Sequence, residues 1–127
     1  MERQRILIVD DDKLIRMSLG LVLRRDGYEV DDVASGREAI ELLERSRYDL
    51  VVTDLRLEDL DGLEISAWTR RLNPEARVVV ITGSEHPPSP EGAARFGADR
   101  VVLKPFTLSV FAEEVALLLQ SPRTNPS

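Results

Sequence analysis

The 127-residue chain has no cysteine, which removes disulfides, thiolate metal ligands and cysteine nucleophiles together. Its single histidine, His86, is too little for a His-rich metal centre and leaves scant material for a Ser-His-Asp arrangement. Positive charge is the minority sign: 17 Lys+Arg stand against 23 Asp+Glu, a formal net charge of −6. Such a balance opposes attraction to phosphate backbones and anionic lipid, so direct nucleic-acid or membrane binding is not expected. No apolar run approaches the roughly 18 residues needed to span a bilayer. Met-Glu-Arg-Gln-Arg leads only into a short run over residues 6–10, which is no secretory leader. These absences predict a soluble cytoplasmic protein of one domain, large enough for a real core.

What is present is a rhythm. Ile6-Leu7-Ile8-Val9, Val51-Val52, Val78-Val79-Val80-Ile81 and Val101-Val102-Leu103 are short apolar runs suited to strands buried on both faces. Residues 28–33 alternate and suit a more exposed strand near a sheet edge. Between the strands, Ile15, Leu19 and Val22 recur at helical spacing, with Asp12 as N-cap and Gly27 just past the end. Ser35 and Glu38 match a capping box. Leu63, Ile65, Ala67 and Trp68 mark a third helix, after the Asp61-Gly62 turn and ended by Asn73-Pro74. Pro87, Pro88 and Pro90 confine a fourth helix to residues 91–96, stopped by Gly97. Thr107 caps a fifth, striped by Leu108, Phe111, Val115 and Leu118. The alternation predicts an α/β fold, a doubly wound five-stranded parallel sheet with right-handed crossovers. Residues 1–121 form the domain, and 122–127 a flexible tail or the start of a linker.

Sheets of this kind place ligands at the carboxyl ends of their strands. Those positions hold Asp10, Asp11 and Asp12, then Asp54, then Thr82 and Gly83, then Lys104. Taken singly, each fits a turn, a cap or a solvated loop. Together they put several carboxylates and one ammonium on one rim, a repulsive cluster that a hard divalent cation would resolve. Mg2+ takes six oxygens and keeps several waters, so two carboxylates, a backbone carbonyl, waters and a phosphoryl oxygen would satisfy it. The loop after the first strand has no glycine, which excludes a nucleotide cradled there on backbone amides. A carboxylate nucleophile towards a phosphoryl group remains, with metal and Lys104 neutralising its oxygens.

The blocks Ile6-Leu7-Ile8-Val9-Asp10-Asp11-Asp12, Val51-Val52-Thr53-Asp54-Leu55, Asp61-Gly62-Leu63-Glu64, Val80-Ile81-Thr82-Gly83 and Leu103-Lys104-Pro105-Phe106 resemble the receiver domain of bacterial two-component response regulators, in the family's order and spacing, over residues 4–120. The resemblance implies a (βα)5 flavodoxin-like sheet of order 2-1-3-4-5. It implies Asp54 as phosphoacceptor, Asp11 as direct Mg2+ ligand with Asp10 mostly in the outer shell, and the Arg56 carbonyl as a further ligand. One phosphoryl oxygen and two waters complete six, and Mn2+ is an expected substitute. It implies that Thr82 and the Gly83 amide hydrogen-bond the phosphoryl group, that Lys104 pairs with its remaining oxygen, and that Lys104-Pro105 is cis. Implied partners are a sensor histidine kinase or histidine phosphotransfer protein, and a downstream output domain or protein; the implied state is a monomer or weak phosphorylation-dependent dimer. The domain is then a switch with self-phosphotransfer and slow autodephosphorylation more than an enzyme.

Three residues or segments depart from the family pattern: Glu58 where a proline is usual, Val101 where a switch aromatic is usual, and His86-Pro87-Pro88-Ser89-Pro90 at the start of the fourth helix. Two rivals stand beside this reading. One is a receiver-like interaction module that works without phosphorylation. The other is a phosphohydrolase with an aspartate nucleophile, which wants a second Asp two residues on, where Arg56 stands.

Overall fold

In the computed structural model, which describes residues 3–120, each apolar run is a strand. The chain runs β1 (Arg5–Val9), α1 (Lys13–Arg25), β2 (Glu29–Val33), α2 (Gly36–Arg45), β3 (Leu50–Asp54), α3 (Gly62–Leu72), β4 (Arg77–Thr82), α4 (Pro90–Arg95), β5 (Arg100–Leu103) and α5 (Leu108–Gln120). The strands form one sheet of order β2-β1-β3-β4-β5, and every pairing is parallel. The expected fold and strand order are observed. The tail expected over 122–127 lies outside the described residues.

Because strand side chains alternate between faces, β1, β3 and β4 feed two cores. Ile6, Ile8, Val52, Val79 and Ile81 meet Leu19, Val22 and Leu23 of α1 and Phe111 and Val115 of α5. Leu7, Val9, Val51, Val78 and Val80 meet Ala39 and Leu43 of α2, Ile65 of α3 and Ala93 of α4. Each Val, Leu, Ile or Phe side chain among these contributes about 1.5–3 kcal/mol on full burial, so the three central strands are the fixed frame from which the loops at their carboxyl ends project.

The helix ends follow local chemistry. Asp12 accepts from the Leu14 and Ile15 amides, Thr107 Oγ1 accepts from Val110 N at 3.1 Å, and Gly27 takes φ +97° beyond α1. Ser35 Oγ accepts from Glu38 N, but the Ser35 hydroxyl rather than its backbone meets the Glu38 carboxylate. The reciprocal capping box lies instead at Asp61 and Glu64, where each residue's side chain serves the other's amide. The fourth helix begins one residue before the expected start, since Pro90 occupies its first turn, where a missing N–H removes no helical bond.

One expectation is corrected by the topology. The run Val101-Val102-Leu103 was expected to be buried on both faces, yet Val101 and Val102 are half-buried and Leu103 is 53% exposed. As the last strand in the order, β5 has a neighbour on one side only, and α4 is six residues long. Apolar content alone does not separate an edge strand from a central one.

Candidate functional site

The acidic rim starts where β1 ends. Asp10 is 2% exposed; its N–H reaches Val33 O at 3.2 Å, and its Oδ1 accepts from Asp12 N at 2.9 Å. Arg16, one turn into α1, donates to Asp10 O at 2.8 Å and to Asp32 Oδ1 at 3.3 Å. Asp11 is exposed and points its charge into the same region, whereas Asp12 is committed to capping α1.

Asp54 closes β3 in register with Ile81 of β4. The carboxylates of Asp10, Asp11 and Asp54 each offer an oxygen, all within 4.8 Å of one another. Lys104 Nζ lies 3.8 Å from Asp54 Oδ1. Burial pushes the Asp54 carboxyl above its ordinary value; Lys104 pulls it down, and Asp11 pushes it up again. Asp10 is likewise raised by burial, opposed by the Asp12 amide and helped by the charge of Asp54. Both shifts describe carboxylates whose charge is disfavoured first by burial and then by a neighbouring carboxylate. A compact set of hard oxygen donors in that condition fits a small divalent cation such as Mg2+.

Thr82 ends β4 and is buried. Its carbonyl accepts from Lys104 N at 2.8 Å and its hydroxyl oxygen from Ser84 N at 3.0 Å. Gly83 runs beside the Lys104 stem, where an added Cβ would stand 3.6 Å from Lys104 Cβ. The Lys104–Pro105 peptide is cis. Arg56 lies in the β3–α3 loop, bridged antiparallel to Asp61, with its side chain exposed. His86 is an exposed loop residue whose amide donates to Ser84 Oγ. The structure thus brings Asp10, Asp11, Asp54, Thr82, Gly83 and Lys104 to one sheet edge.

Two contributors escaped the sequence reading. Arg16 carries a weak signal, a cation one turn after Asp12 on an otherwise apolar helix face. Gly62 is legible as a turn and within a resembling block, but not for its contacts: its N–H donates to Leu55 O at 2.7 Å, and a Cβ there would fall 2.5 Å from Asp54 O. Only glycine lets α3 start so close to the end of β3. Among the described residues no helix is long and apolar enough to cross a membrane.

Comparison with known proteins agrees with this geometry. The family model for the response regulator receiver domain matches residues 6–116. The response regulator MprA of Mycolicibacterium vanbaalenii is 36% identical over 122 residues, covering 96% of this chain and 52% of that protein. The chain therefore spans about half the length of such curated relatives. A CheY-like receiver domain protein from Methanospirillum hungatei superposes with TM-score 0.88 at 29% identity, covering 94% of this chain and 95% of that one. The response regulator TrrA of Thermotoga maritima, solved in complex with Mg2+-BeF, gives TM-score 0.80 at 32% identity over 91% and 98% of the two chains.

Proposed function

The chain belongs to the response regulator receiver domain family, and from that membership we propose that Asp54 accepts a phosphoryl group from a partner's phosphohistidine and holds it as a signal. The observation that carries this reading is the meeting of Asp10, Asp11 and Asp54 within 4.8 Å, with Lys104 Nζ 3.8 Å from Asp54.

In the reaction, an Asp54 carboxylate oxygen attacks phosphorus, the P–N bond to the donor imidazole breaks, and the departing nitrogen keeps the electron pair. The product is a mixed anhydride on Asp54; attack by water later returns the carboxylate and inorganic phosphate. Each residue has a defined task. Lys104 pairs with a phosphoryl oxygen, lowering the cost of a second charge beside Asp54. Thr82 can donate its hydroxyl proton to another oxygen while still accepting from Ser84 N, because a hydroxyl is donor and acceptor at once. The Gly83 amide supplies a further donor. Asp11, Asp54 and the Arg56 carbonyl would hold Mg2+, with Asp10 in the outer shell; Mn2+ is the natural substitute. The ion supplies charge neutralisation that the acidic cluster otherwise opposes. The half-length match to MprA supports a receiver that acts on an output domain or protein, with a histidine kinase or phosphotransfer protein upstream. A cytoplasmic setting, and either a monomer or a weak phosphorylation-dependent dimer, complete the proposal.

Intact mass spectrometry after incubation with acetyl phosphate and MgCl2 tests it. One added phosphoryl mass is expected on the wild type, none on Asp54→Asn and none with chelator. A full phosphoryl gain on Asp54→Asn refutes the assignment.

A further inference from the structure

The β3–α3 loop, residues 55–61, carries Arg56, and its stem is well fixed. Gly62 N–H closes on Leu55 O at 2.7 Å, and Arg56 pairs with Asp61. The tip is held by a different device. The exposed Asp59 side chain reaches across to the start of α2, where Oδ1 accepts from Gly36 N at 2.9 Å and Oδ2 from Arg37 N at 2.9 Å. These are amides that the first turn of a helix leaves without partners, and the N-cap Ser35 serves Glu38 instead. The next residue docks on the same spot by packing: a Cβ on Gly36 would stand 2.9 Å from Leu60 Cβ and Cδ1. Two consecutive loop residues are thus seated on one helix end, one by charge-assisted hydrogen bonds and one by contact.

We infer that Asp59 is a positioning residue that clamps the β3–α3 loop to the N-terminus of α2 and so restrains Arg56, whose carbonyl is the proposed metal ligand. The two amides hold the Asp59 carboxyl below its ordinary value, as expected for an anion on a helix N-terminus. With Glu58 at a position where a proline would restrict the chain, the clamp supplies a restraint from a neighbouring helix instead of from the loop's own backbone.

The inference rests on the proposed metal role of Arg56, and the test separates the two. Magnesium chloride is titrated by calorimetry into wild type, Asp59→Ala and Ser35→Ala, alongside urea unfolding and backbone amide exchange. Both variants weaken the capping of α2, but only Asp59→Ala frees the loop. Asp59→Ala is expected to weaken Mg2+ binding about tenfold, the low end for losing a group that orients a ligand, and to speed exchange of the amides of residues 55–61. Ser35→Ala is expected to leave both unchanged despite a lower urea midpoint. Unchanged binding in Asp59→Ala, or equal losses in the two variants, overturns the inference. If wild type itself takes up no Mg2+, the metal reading fails and the clamp is judged by exchange alone, equal rates in all three proteins overturning it. Should Asp59→Ala not fold, Asp59→Asn, which keeps one acceptor oxygen, is read the same way with a smaller loss.

Discussion

Replacing Gly62 by alanine tests whether β3, which ends in the proposed phosphoacceptor Asp54, is as tightly tied to α3 as its contacts imply. An ideal Cβ at this position falls 2.5 Å from Asp54 O, 3.0 Å from Leu55 Cα and 3.2 Å from Asp54 C. All three are backbone atoms, so no rotamer change relieves them. Carbon–oxygen contacts settle near ~3.3–3.6 Å, so the strand end and helix start must part by about 1 Å. Overpacking of this kind costs about 1–3 kcal/mol. The strained Gly62 N–H to Leu55 O bond adds about 1 kcal/mol, and the stiffer unfolded chain gives back roughly 0.4–1 kcal/mol. The net expectation is a loss of about 2 kcal/mol, read as a lower urea midpoint or a melting temperature down by about 8 °C. With Asp54 as the proposed nucleophile, a displacement of about 1 Å at its carboxylate should also slow phosphorylation by acetyl phosphate by about a hundredfold. Gly83→Ala is the control, since its Cβ would meet Lys104 carbons at 3.6 and 3.7 Å, ordinary contact distances, and its stability should stay within about 0.5 kcal/mol of wild type. If Gly62→Ala is as stable as Gly83→Ala and as readily phosphorylated as wild type, the close approach is not what fixes Asp54.

Two further expectations follow from other parts of the molecule. Tyr48 Oη donates to Asp31 Oδ2 at 2.6 Å, and burial first, then this bond, raises the Tyr48 hydroxyl above its ordinary value of 10. Its contribution is therefore complete below pH 10 and is lost as pH climbs towards the folded-state value, because the unfolded chain deprotonates first. Tyr48→Phe should cost about 1.5 kcal/mol at pH 8, and its urea midpoint should fall less steeply above pH 10 than that of wild type; parallel curves would sink the assignment, since Tyr28 is common to both. For Thr82→Ala, beryllofluoride should no longer shift the amides of Ser84 and His86, because the wild-type hydroxyl would link the proposed phosphoryl site to Ser84 N, from which it already accepts, and Ser84 Oγ links onward to His86 N. Equal shifts in both proteins, or a larger remote shift at the β-branched Val101, would exclude this route.

The candidate site was legible because the strands of a parallel sheet are continuous apolar runs, and a polar residue that ends such a run sits at a known edge. Asp54, Thr82 and Lys104 each follow a run of that kind, and five blocks in one order carried the resemblance. The clamp at Asp59 was not legible in the same way. An Asp in a polar loop looks the same whether it faces water or a helix end 23 residues away in sequence, and only the three-dimensional approach of α2 decides. The same holds for Arg70, which spans from Pro74 O and Gly97 O to the Asp99 carboxylate. It also holds for β5, whose valines suit a central strand until the strand order leaves it at an edge.

Asp10, Asp11 and Asp12 show how far identical chemistry diverges under one backbone. Val9 is buried and Asp10 continues the strand's path into the rim, so its carboxylate is enclosed and its charge is disfavoured. Asp12 has the extended backbone of an N-cap and gives its oxygen to two amides of α1, which satisfies it without a metal. Asp11 lies between them, exposed, with no hydrogen bond of this kind drawing it away from the cluster. Of three adjacent carboxylates, one is thereby fixed, one is committed to the fold and one is left available, and Arg16 holds the arrangement by gripping the Asp10 carbonyl from α1. That division supports the proposed direct-ligand role of Asp11, the one carboxylate of the three that neither caps α1 nor is enclosed. It also places the structural burden on Asp12, which is to say that shortening the acidic run by one residue would remove either the helix cap or the site.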